Sequence, residues 1–226
     1  MSDMITLVDE NDNVIGPISK IEAHMKNPTQ NQSQSQSQFP HRAFSLLLFN
    51  SKNQLLLQQR SYKKITFPSM WTNTCCSHNA HIPEEITSEQ DFIGIRRAAV
   101  RRSKFELGIS ELDPNLDLKV VSRILYYADN CDKFAEHELD YIIFAKKNLS
   151  QWNPKNNVNA DEIHAIDWVG LHEIEEFLES KKQQDGKGDV TPWFRLLKDS
   201  KLKKWWTQLI DEGTFPDEAK SIHRFY

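Results

Sequence analysis

The sequence contains little that would mark a secreted, membrane-spanning or nucleic-acid-binding protein. Only three of its 226 residues are cysteine, and two of them, Cys75 and Cys76, are adjacent. So few thiols do not make a disulfide framework and fit a reducing compartment better. The formal net charge is -4, which argues against general attraction to nucleic acid or to an anionic membrane surface, although a local basic pocket can still bind phosphate. No segment is apolar for long enough to cross a bilayer.

Targeting signals and nucleotide-binding loops are also lacking. The segment from Met1 to Val8 has no basic region followed by an apolar run, as a secretory signal would have. The last residues, 223–226, do not form the common peroxisomal ending. A cytoplasmic protein is therefore expected, with the peroxisome and the nucleus left open. The sequence has seven glycines, and it contains neither common type of Gly-rich phosphate loop.

The clearest change in composition along the chain lies at residues 26–39. This Gln/Ser-rich stretch is almost wholly polar and has nothing to bury, so a flexible loop is predicted there. The remaining sequence is long enough for a substantial core, with 38% hydrophobic residues overall. One domain over residues 1–226 is predicted, because two full domains would be cramped.

Hydrophobic periodicity predicts an α/β or α+β fold, with mixed and antiparallel sheets packed between helices. Strands are predicted at 5–8, 13–15, 43–49, 54–59, 118–127, 139–146 and 163–169, and helices at 92–107, 171–181 and 193–210. Gly108 is predicted to end the first helix, and Thr191 with Pro192 to begin the last one. The inward positions of the first helix are predicted to include Ile95, Ala99, Ser103 and Phe105.

Two short motifs combine groups that bind metals or transfer protons. Glu136 and Glu138 flank a histidine directly before the predicted strand at 139–146. If that strand begins early enough, alternation would place both carboxylates on one face. Taken alone, such a motif is better explained as a solvated strand edge. Cys76 and His78 have the same spacing, and a buried thiol beside a histidine is again the simpler explanation. Together with His24 and His41 at the borders of the polar loop, they would supply the ligands of a closed metal site beside a thiol.

A basic group also stands out, comprising Lys20, Arg60, Lys63, Lys64, Arg101 and Arg102. Solvated surface charge is the simple explanation for each of them. A diphosphate, however, needs several cations and often a magnesium ion. Glu106 lies one helical turn after Arg102 and could hold that ion, while the alternative is a surface pair between Arg102 and Glu106.

Four longer motifs resemble the type I isopentenyl-diphosphate isomerase family. They are Pro40-His41-Arg42-Ala43-Phe44-Ser45, TFPSMWTNTCCSH at 66–78, AEHELDYIIF at 135–144 and Thr191-Pro192-Trp193-Phe194. Lys204-Trp205-Trp206 and Ile222-His223-Arg224 resemble the eukaryotic branch of the family. The resemblance spans nearly the whole chain and implies a Nudix-like fold. It also implies the interconversion of isopentenyl and dimethylallyl diphosphate in isoprenoid biosynthesis, through protonation and deprotonation by way of a tertiary carbocation.

The same resemblance implies a role for individual residues. The ligands of a divalent metal, which could be Mg²⁺, Mn²⁺ or Zn²⁺, would be His24, His41, His78, Glu136 and Glu138. Cys76 would be one acid/base group and Glu138, near Tyr126, the other, while Trp193 would face the carbocation with its π surface. Lys20, Arg60, Lys64 and Arg102 would bind the diphosphate, and Glu106 would contribute to a substrate-bound Mg²⁺. The expected partner is a small allylic or homoallylic diphosphate and the expected state is a monomer, with no nucleic acid and no membrane insertion.

Two other functions remain possible within the same fold. A Nudix hydrolase needs the pattern Arg-Glu-x-x-Glu-Glu-x-Gly, and aligned on Gly108 this chain has Arg102 and Phe105 in place of two of the glutamates. One remaining carboxylate, Glu106, is a poor basis for a magnesium cluster that activates water, so hydrolysis is disfavoured. A non-catalytic binding module would be expected to have lost the thiol, the metal ligands or the tryptophan, and all of these are present.

Overall fold

The computed structural model describes residues 4–26, 39–185 and 189–226. The predicted flexible loop at 26–39 therefore lies almost entirely outside the described residues, and so does part of the predicted turn at 185–189. The strands are β1 (Met4–Val8), β2 (Val14–Ser19), β3 (His41–Phe49), β4 (Leu55–Arg60), β5 (Trp71–Thr72), β6 (Cys75–His78), β7 (Leu118–Asp129), β8 (Ala135–Lys146), β9 (Ile163–Val169) and β10 (Ile222–Phe225). The helices are α1 (Lys20–His24), α2 (Pro83–Ile86), α3 (Glu89–Leu107), α4 (Pro154–Asn157), α5 (Ile174–Asp185), α6 (Pro192–Leu197) and α7 (Lys203–Glu212).

Strand β3 is at the centre of the mixed sheet. It pairs in parallel with β8 from His41 opposite Glu138 to Phe49 opposite Lys146. On its other side β3 pairs antiparallel with β6, from Ala43 opposite His78 to Leu46 opposite Cys75. This register brings the first residue of β3 beside the glutamates of β8 and close to the end of β6. All nine residues of β3 are buried, as expected for a strand covered on both faces.

Helices cover both faces of this sheet and form two separate hydrophobic cores. One core packs the two tryptophans of α7 against Phe49 and Phe144. The other packs Ile95, Ala98 and Ala99 of α3 against the opposite faces of β3 and β8. Mixed strands between helices were predicted, and the structure confirms that fold class.

Several predicted elements are confirmed with small shifts of their ends. β9 has the predicted bounds, and Gly108 ends α3 with a left-handed backbone at φ 67°. Thr191 does precede α6, but its hydroxyl donates to Thr72 Oγ1 and does not cap the helix. The last predicted helix is divided, because a π-helical turn at Lys198–Leu202 joins α6 to α7.

Other predictions about the fold are wrong. Phe105 was expected to point inward, but its side chain is 53% exposed and lies under the guanidinium of Arg102. The antiparallel strands β3 and β4 pair only at Phe49 and Leu55, because β6 lies beside the rest of β3. The edge strand β10, which runs parallel to β7, was not predicted.

Candidate active site

Four elements bring a cluster of metal-ligand side chains together. His24 ends α1, His41 begins β3, His78 ends β6, and Glu136 and Glu138 point to one face of β8. One ligand atom from each of the five residues lies within 4.8 Å of all the others. The three imidazole ring centroids are 4.6, 4.9 and 5.0 Å apart. Residues separated by more than a hundred positions in the sequence thus form one compact site.

The contacts inside this cluster are those of ligands that face a common point. His24 Nε2 lies 2.9 Å from Glu136 Oε2, and His78 Nε2 lies 2.9 Å from Glu138 Oε1. His41 Nε2 lies 3.3 Å from Glu138 Oε1. Both His41 Nε2 and Glu136 Oε2 are buried, and neither atom has an aligned hydrogen-bond partner among the described residues. Buried polar atoms are rarely left unpaired, so this donor set fits a divalent cation bound by imidazole and carboxylate.

The surroundings of the cluster set its orientation and its charge. His24 Nδ1 lies 2.6 Å from the carbonyl oxygen of Lys20 and donates to it, which leaves Nε2 free to bind a metal. Burial opposes the charge on Glu138, but the adjacent His41 imidazole outweighs this effect and lowers the pKa of that carboxyl. Tyr126 donates a 2.5 Å hydrogen bond to Glu138 Oε2, and burial raises the pKa of this phenol well above its usual value. Tyr126 is therefore a protonated donor beside an ionised carboxylate.

Cys76 occupies β6 two residues before His78, and its thiol is surrounded by polar groups. Its Sγ lies 3.0 Å from Asn73 Oδ1, to which the thiol donates, and Trp193 Nε1 donates to the sulfur at 3.1 Å. Thr72 Oγ1 is 3.6 Å away. Burial raises the pKa of Cys76 to about 12, so the thiol is protonated at neutral pH in this environment.

The neighbouring thiol of Cys75 lies on the opposite face of the strand. It is fully buried and its Sγ lies 3.5 Å from Glu106 Oε2. Burial raises its pKa well above the usual range. The alternation of the strand thus places Cys76 in the cavity and Cys75 in the core. The sequence alone gave only weak grounds for preferring one of the two cysteines.

A cavity of about 810 Å³ connects the thiol, the metal cluster and four of the six predicted basic residues, without Arg101 and Arg102. Its walls include Cys76, Glu138, His24, Trp193 and the aliphatic Ile21, among others. The indole of Trp193 is held in place by the edge of Phe67, with ring centroids 5.4 Å apart. One wall is thus aromatic, one carries a thiol and a carboxylate, and one is basic.

The basic wall brings together most of the predicted diphosphate-binding side chains. Lys20, Arg60 and Lys64 all line the cavity. Lys20 has no ion-pair partner among the described residues, and burial together with the charge of Lys64 lowers its pKa. Arg60 uses Nε and Nη2 to bind the carbonyl groups of Phe67 and Thr66, so part of this guanidinium holds the adjoining loop.

Arg102 and Glu106 form the i,i+4 pair that was the alternative explanation for them, with Arg102 Nη2 2.6 Å from Glu106 Oε1. The pair does not lie on the surface, because Glu106 is only 3% exposed.

Several residues near the thiol and the basic wall were missed by the sequence reasoning. Asp140 is almost fully buried, and Ser45 Oγ donates to it at 2.8 Å while lying 3.9 Å from Cys76 Sγ. Burial and the charge of Glu138 raise the pKa of Asp140 well above its usual value. Asn73 and Glu162 were also missed. Only Asp140 had a signal in the sequence, since it follows Glu138 by two positions on the same strand face.

Comparison with known proteins agrees with the motifs and with this geometry. Residues 39–194 match the NUDIX domain family. The isopentenyl-diphosphate Delta-isomerase 1 of Mesocricetus auratus is 44% identical over 226 residues, covering 99% of this chain and 92% of that protein. The chain belongs to the isopentenyl-diphosphate Delta-isomerase family. A chloroplastic family member from Cannabis sativa is 41% identical, over 98% of this chain and 74% of its own length.

Solved structures of more distant proteins share the fold of this isomerase family member. The DR0079 protein of Deinococcus radiodurans matches with a TM-score of 0.54 at 16% identity, over 88% of this chain and 99% of that one. A NUDIX hydrolase from Alicyclobacillus acidocaldarius matches with a TM-score of 0.54 at 10% identity, over 78% of this chain and 97% of that one. At such identities the likeness shows the fold alone. Among the described residues, no helix combines the length and the apolar character of a membrane span.

Proposed function

We propose that this protein interconverts isopentenyl diphosphate and dimethylallyl diphosphate. One proton is added to the terminal alkene carbon, and another is removed from the carbon nearer to the diphosphate, so that the double bond moves by one position. The observation that carries this proposal is the placement of a thiol and a carboxylate, Cys76 and Glu138, in the wall of one cavity that also has an aromatic and a basic wall. Family membership supports the same reaction.

Each group has a role that follows from its surroundings. Cys76 and the pair of Glu138 with Tyr126 are the two proton-transfer groups, because each can bind or release a proton at the cavity surface. The π face of Trp193 stabilises the tertiary carbocation between the two transfers, and the largely apolar lining of the partly enclosed cavity limits the access of water to it. Lys20, Arg60, Lys64 and Arg102 hold the diphosphate and so fix the alkene between the proton-transfer groups.

Metal ions have two places in the proposal. A divalent ion held by His24, His41, His78, Glu136 and Glu138 would supply a positive charge that fixes Glu138 and lowers the basicity of its carboxylate. The ion can be Mg²⁺, Mn²⁺ or Zn²⁺. A separate Mg²⁺ would accompany the diphosphate, with Glu106 near it. A cytoplasmic monomer that serves isoprenoid biosynthesis, including the mevalonate and sterol branches, is part of the same proposal.

Incubation of the purified protein with isopentenyl diphosphate and Mg²⁺ tests the reaction directly. Dimethylallyl diphosphate should form without release of phosphate, and in D₂O the product should gain deuterium because the transferred protons exchange with solvent. Release of phosphate without isomer would instead indicate a Nudix hydrolase. Binding of the substrate with neither product would indicate a non-catalytic module.

A further inference from the structure

Glu162 is a carboxylate in the basic wall that the reaction itself does not require. It begins the segment just before β9, and its backbone carbonyl accepts a 2.9 Å hydrogen bond from Ser61 N, next to the end of β4. Its side chain is 18% exposed and lines the cavity. The residue is thus placed firmly among the groups proposed to bind the diphosphate.

The side chain of Glu162 bridges two of those groups. Its Oε2 lies 2.5 Å from Lys64 Nζ, and its Oε1 lies 3.4 Å from Arg102 Nη2. The same Arg102 nitrogen is bound by Glu106 at 2.6 Å. Two carboxylates therefore share one guanidinium. The charges of all three groups act on Lys20, which has no ion-pair partner among the described residues.

The neighbouring ion pair shows that this arrangement differs from an ordinary surface pair. Lys63 and Asp161, each one position earlier, also line the cavity and pair at 2.5 Å, but both side chains are 72% exposed to solvent. Lys64 and Glu162 are only 20% and 18% exposed. Charges that are shielded from solvent interact more strongly than charges in bulk water. A ligand in the cavity therefore interacts more strongly with Glu162 than with the solvated Asp161.

A carboxylate in a diphosphate site has a predictable effect on which ionic form of the ligand binds. The free diphosphate is a multiply charged anion that Glu162 and Glu106 repel, whereas a bound Mg²⁺ lowers that charge and attracts both carboxylates. Burial opposes the charge of Glu162, but the nearby Lys64 and Arg102 lower the pKa of its carboxyl, so it is ionised when the ligand arrives.

The geometry points to Glu162 as a specificity-determining residue that makes the site select the magnesium complex of a diphosphate over the free anion. This inference rests on the proposed function for the identity of the substrate. The preference for the magnesium complex does not depend on the proposed function. It assigns to Glu162 a role that neither the metal cluster nor the proton-transfer groups can fill, since both lie in other walls of the cavity.

Calorimetric binding of inorganic diphosphate, with and without Mg²⁺, tests the inference. The protein is dialysed without chelator, and its metal content is measured so that the His/Glu cluster is equally loaded in both arms. The wild type should bind more tightly with Mg²⁺. The magnesium advantage is the ratio of the Kd measured without Mg²⁺ to the Kd measured with it. In the isosteric variant Glu162→Gln this ratio should be about tenfold smaller, a coupling of ordinary size between two ligands.

Two further variants make the result specific. Asp161→Asn removes the adjacent exposed carboxylate and should leave the magnesium advantage unchanged. Glu162→Asp keeps the charge and should recover most of the advantage that Glu162→Gln loses. In turnover, Glu162→Gln should change the magnesium dependence of KM while kcat stays within about threefold of the wild type.

The possible outcomes separate this inference from the proposed function. An unchanged or larger magnesium advantage in Glu162→Gln, an equal loss in Asp161→Asn, or a wild type that binds equally well without Mg²⁺ would overturn it. A wild type that shows the preference but forms no dimethylallyl diphosphate would overturn the isomerase proposal and leave the role of Glu162 standing. Normal isomerisation by the wild type, together with an unchanged magnesium advantage in Glu162→Gln, would support the isomerase proposal and overturn the role of Glu162.

Discussion

The two adjacent thiols show how much a single position matters at this site. Cys76 contacts Asn73 and Trp193 and lines the cavity, whereas Cys75 is enclosed in the core beside Glu106. The strand sends consecutive side chains to opposite faces, so similar chemistry at neighbouring positions has different access to substrate. Only the thiol in the cavity can exchange a proton there.

Substitution of each thiol by a hydroxyl tests this difference. Cys76→Ser should lower kcat by at least about a hundredfold, because a serine hydroxyl is a far weaker acid and general acid/base catalysis contributes on that order. Cys75→Ser is the matched control and should keep activity within a few-fold, with circular dichroism unchanged in both. Glu138→Gln should be as damaging as Cys76→Ser. Ordinary turnover by Cys76→Ser or by Glu138→Gln would contradict the proton-transfer role assigned to that residue.

The hydrogen bond from Trp193 to the thiol predicts an effect beyond that of its π face. Trp193→Phe keeps an aromatic ring but loses the N–H that donates to Cys76 Sγ at 3.1 Å. One hydrogen bond of about 1 kcal/mol corresponds to a loss of roughly fivefold to tenfold in kcat with KM little changed. Trp206→Phe is the control, because its indole donates to the carbonyl of Asn53, away from the cavity. A kcat equal to the wild type in Trp193→Phe would show that the N–H has no catalytic part.

At the scale of elements, the parallel pairing of β3 with β8 is what assembles the metal cluster. The register places His41 beside Glu138, and the antiparallel β6 brings His78 to the same end. A shift of one residue would turn Glu136 and Glu138 to the opposite face. Covering both faces with apolar residues of α3 and of α5 to α7 fixes this register, because any slip would expose leucines and phenylalanines.

The end of α3 offers a test of how tightly one element is held. Gly108 has φ 67°, and a Cβ there would lie 2.5 Å from atoms of Asn157. Gly213, at the end of α7, has φ 68° but no atom within 4 Å of such a Cβ. Gly213→Ala should therefore cost only the backbone strain of about 1 kcal/mol, and Gly108→Ala should cost about 2–3 kcal/mol because a steric clash adds to it. If chemical denaturation gives equal losses of unfolding free energy for the two variants, the loop around Asn157 must move aside for the added Cβ at no energetic cost.

At the scale of the whole molecule, the histidine and glutamate cluster links parts of the chain that are far apart. α1, β3, β6 and β8 each contribute at least one ligand atom. A ligand that binds only the folded state stabilises it by an amount that grows with the logarithm of the ratio of ligand concentration to Kd. A metal at this site would therefore act as a cross-link between the first helix and the central sheet.

Removal of the metal should lower the thermal stability of the protein. A strong chelator should lower Tm by about 5 °C or more, as expected for a loss of 2–4 kcal/mol in a chain of this size, and added metal should restore it. His24→Ala removes one ligand and should reduce the effect of the chelator. The exposed His164 lies outside the cluster, so His164→Ala should respond like the wild type. A Tm that is insensitive to chelator would contradict a resident metal.

The sequence by itself determined the local patterns. Alternation predicted β9 and the shared face of Glu136 and Glu138, Gly108 ended α3, and the motifs identified the family. These features depend on neighbouring residues and on residue chemistry, which a sequence states directly.

Only the tertiary structure decided which distant residues meet. His24 and His41 lie with the glutamates, as the family motifs predicted. The structure alone placed Asp140 and Asn73 near the thiol, and Glu162 between Lys64 and Arg102. It also turned Phe105 outward and added β10 beside β7. Periodicity describes the faces of one element, whereas strand order, register and the contacts between elements follow from how the two cores pack against a common sheet.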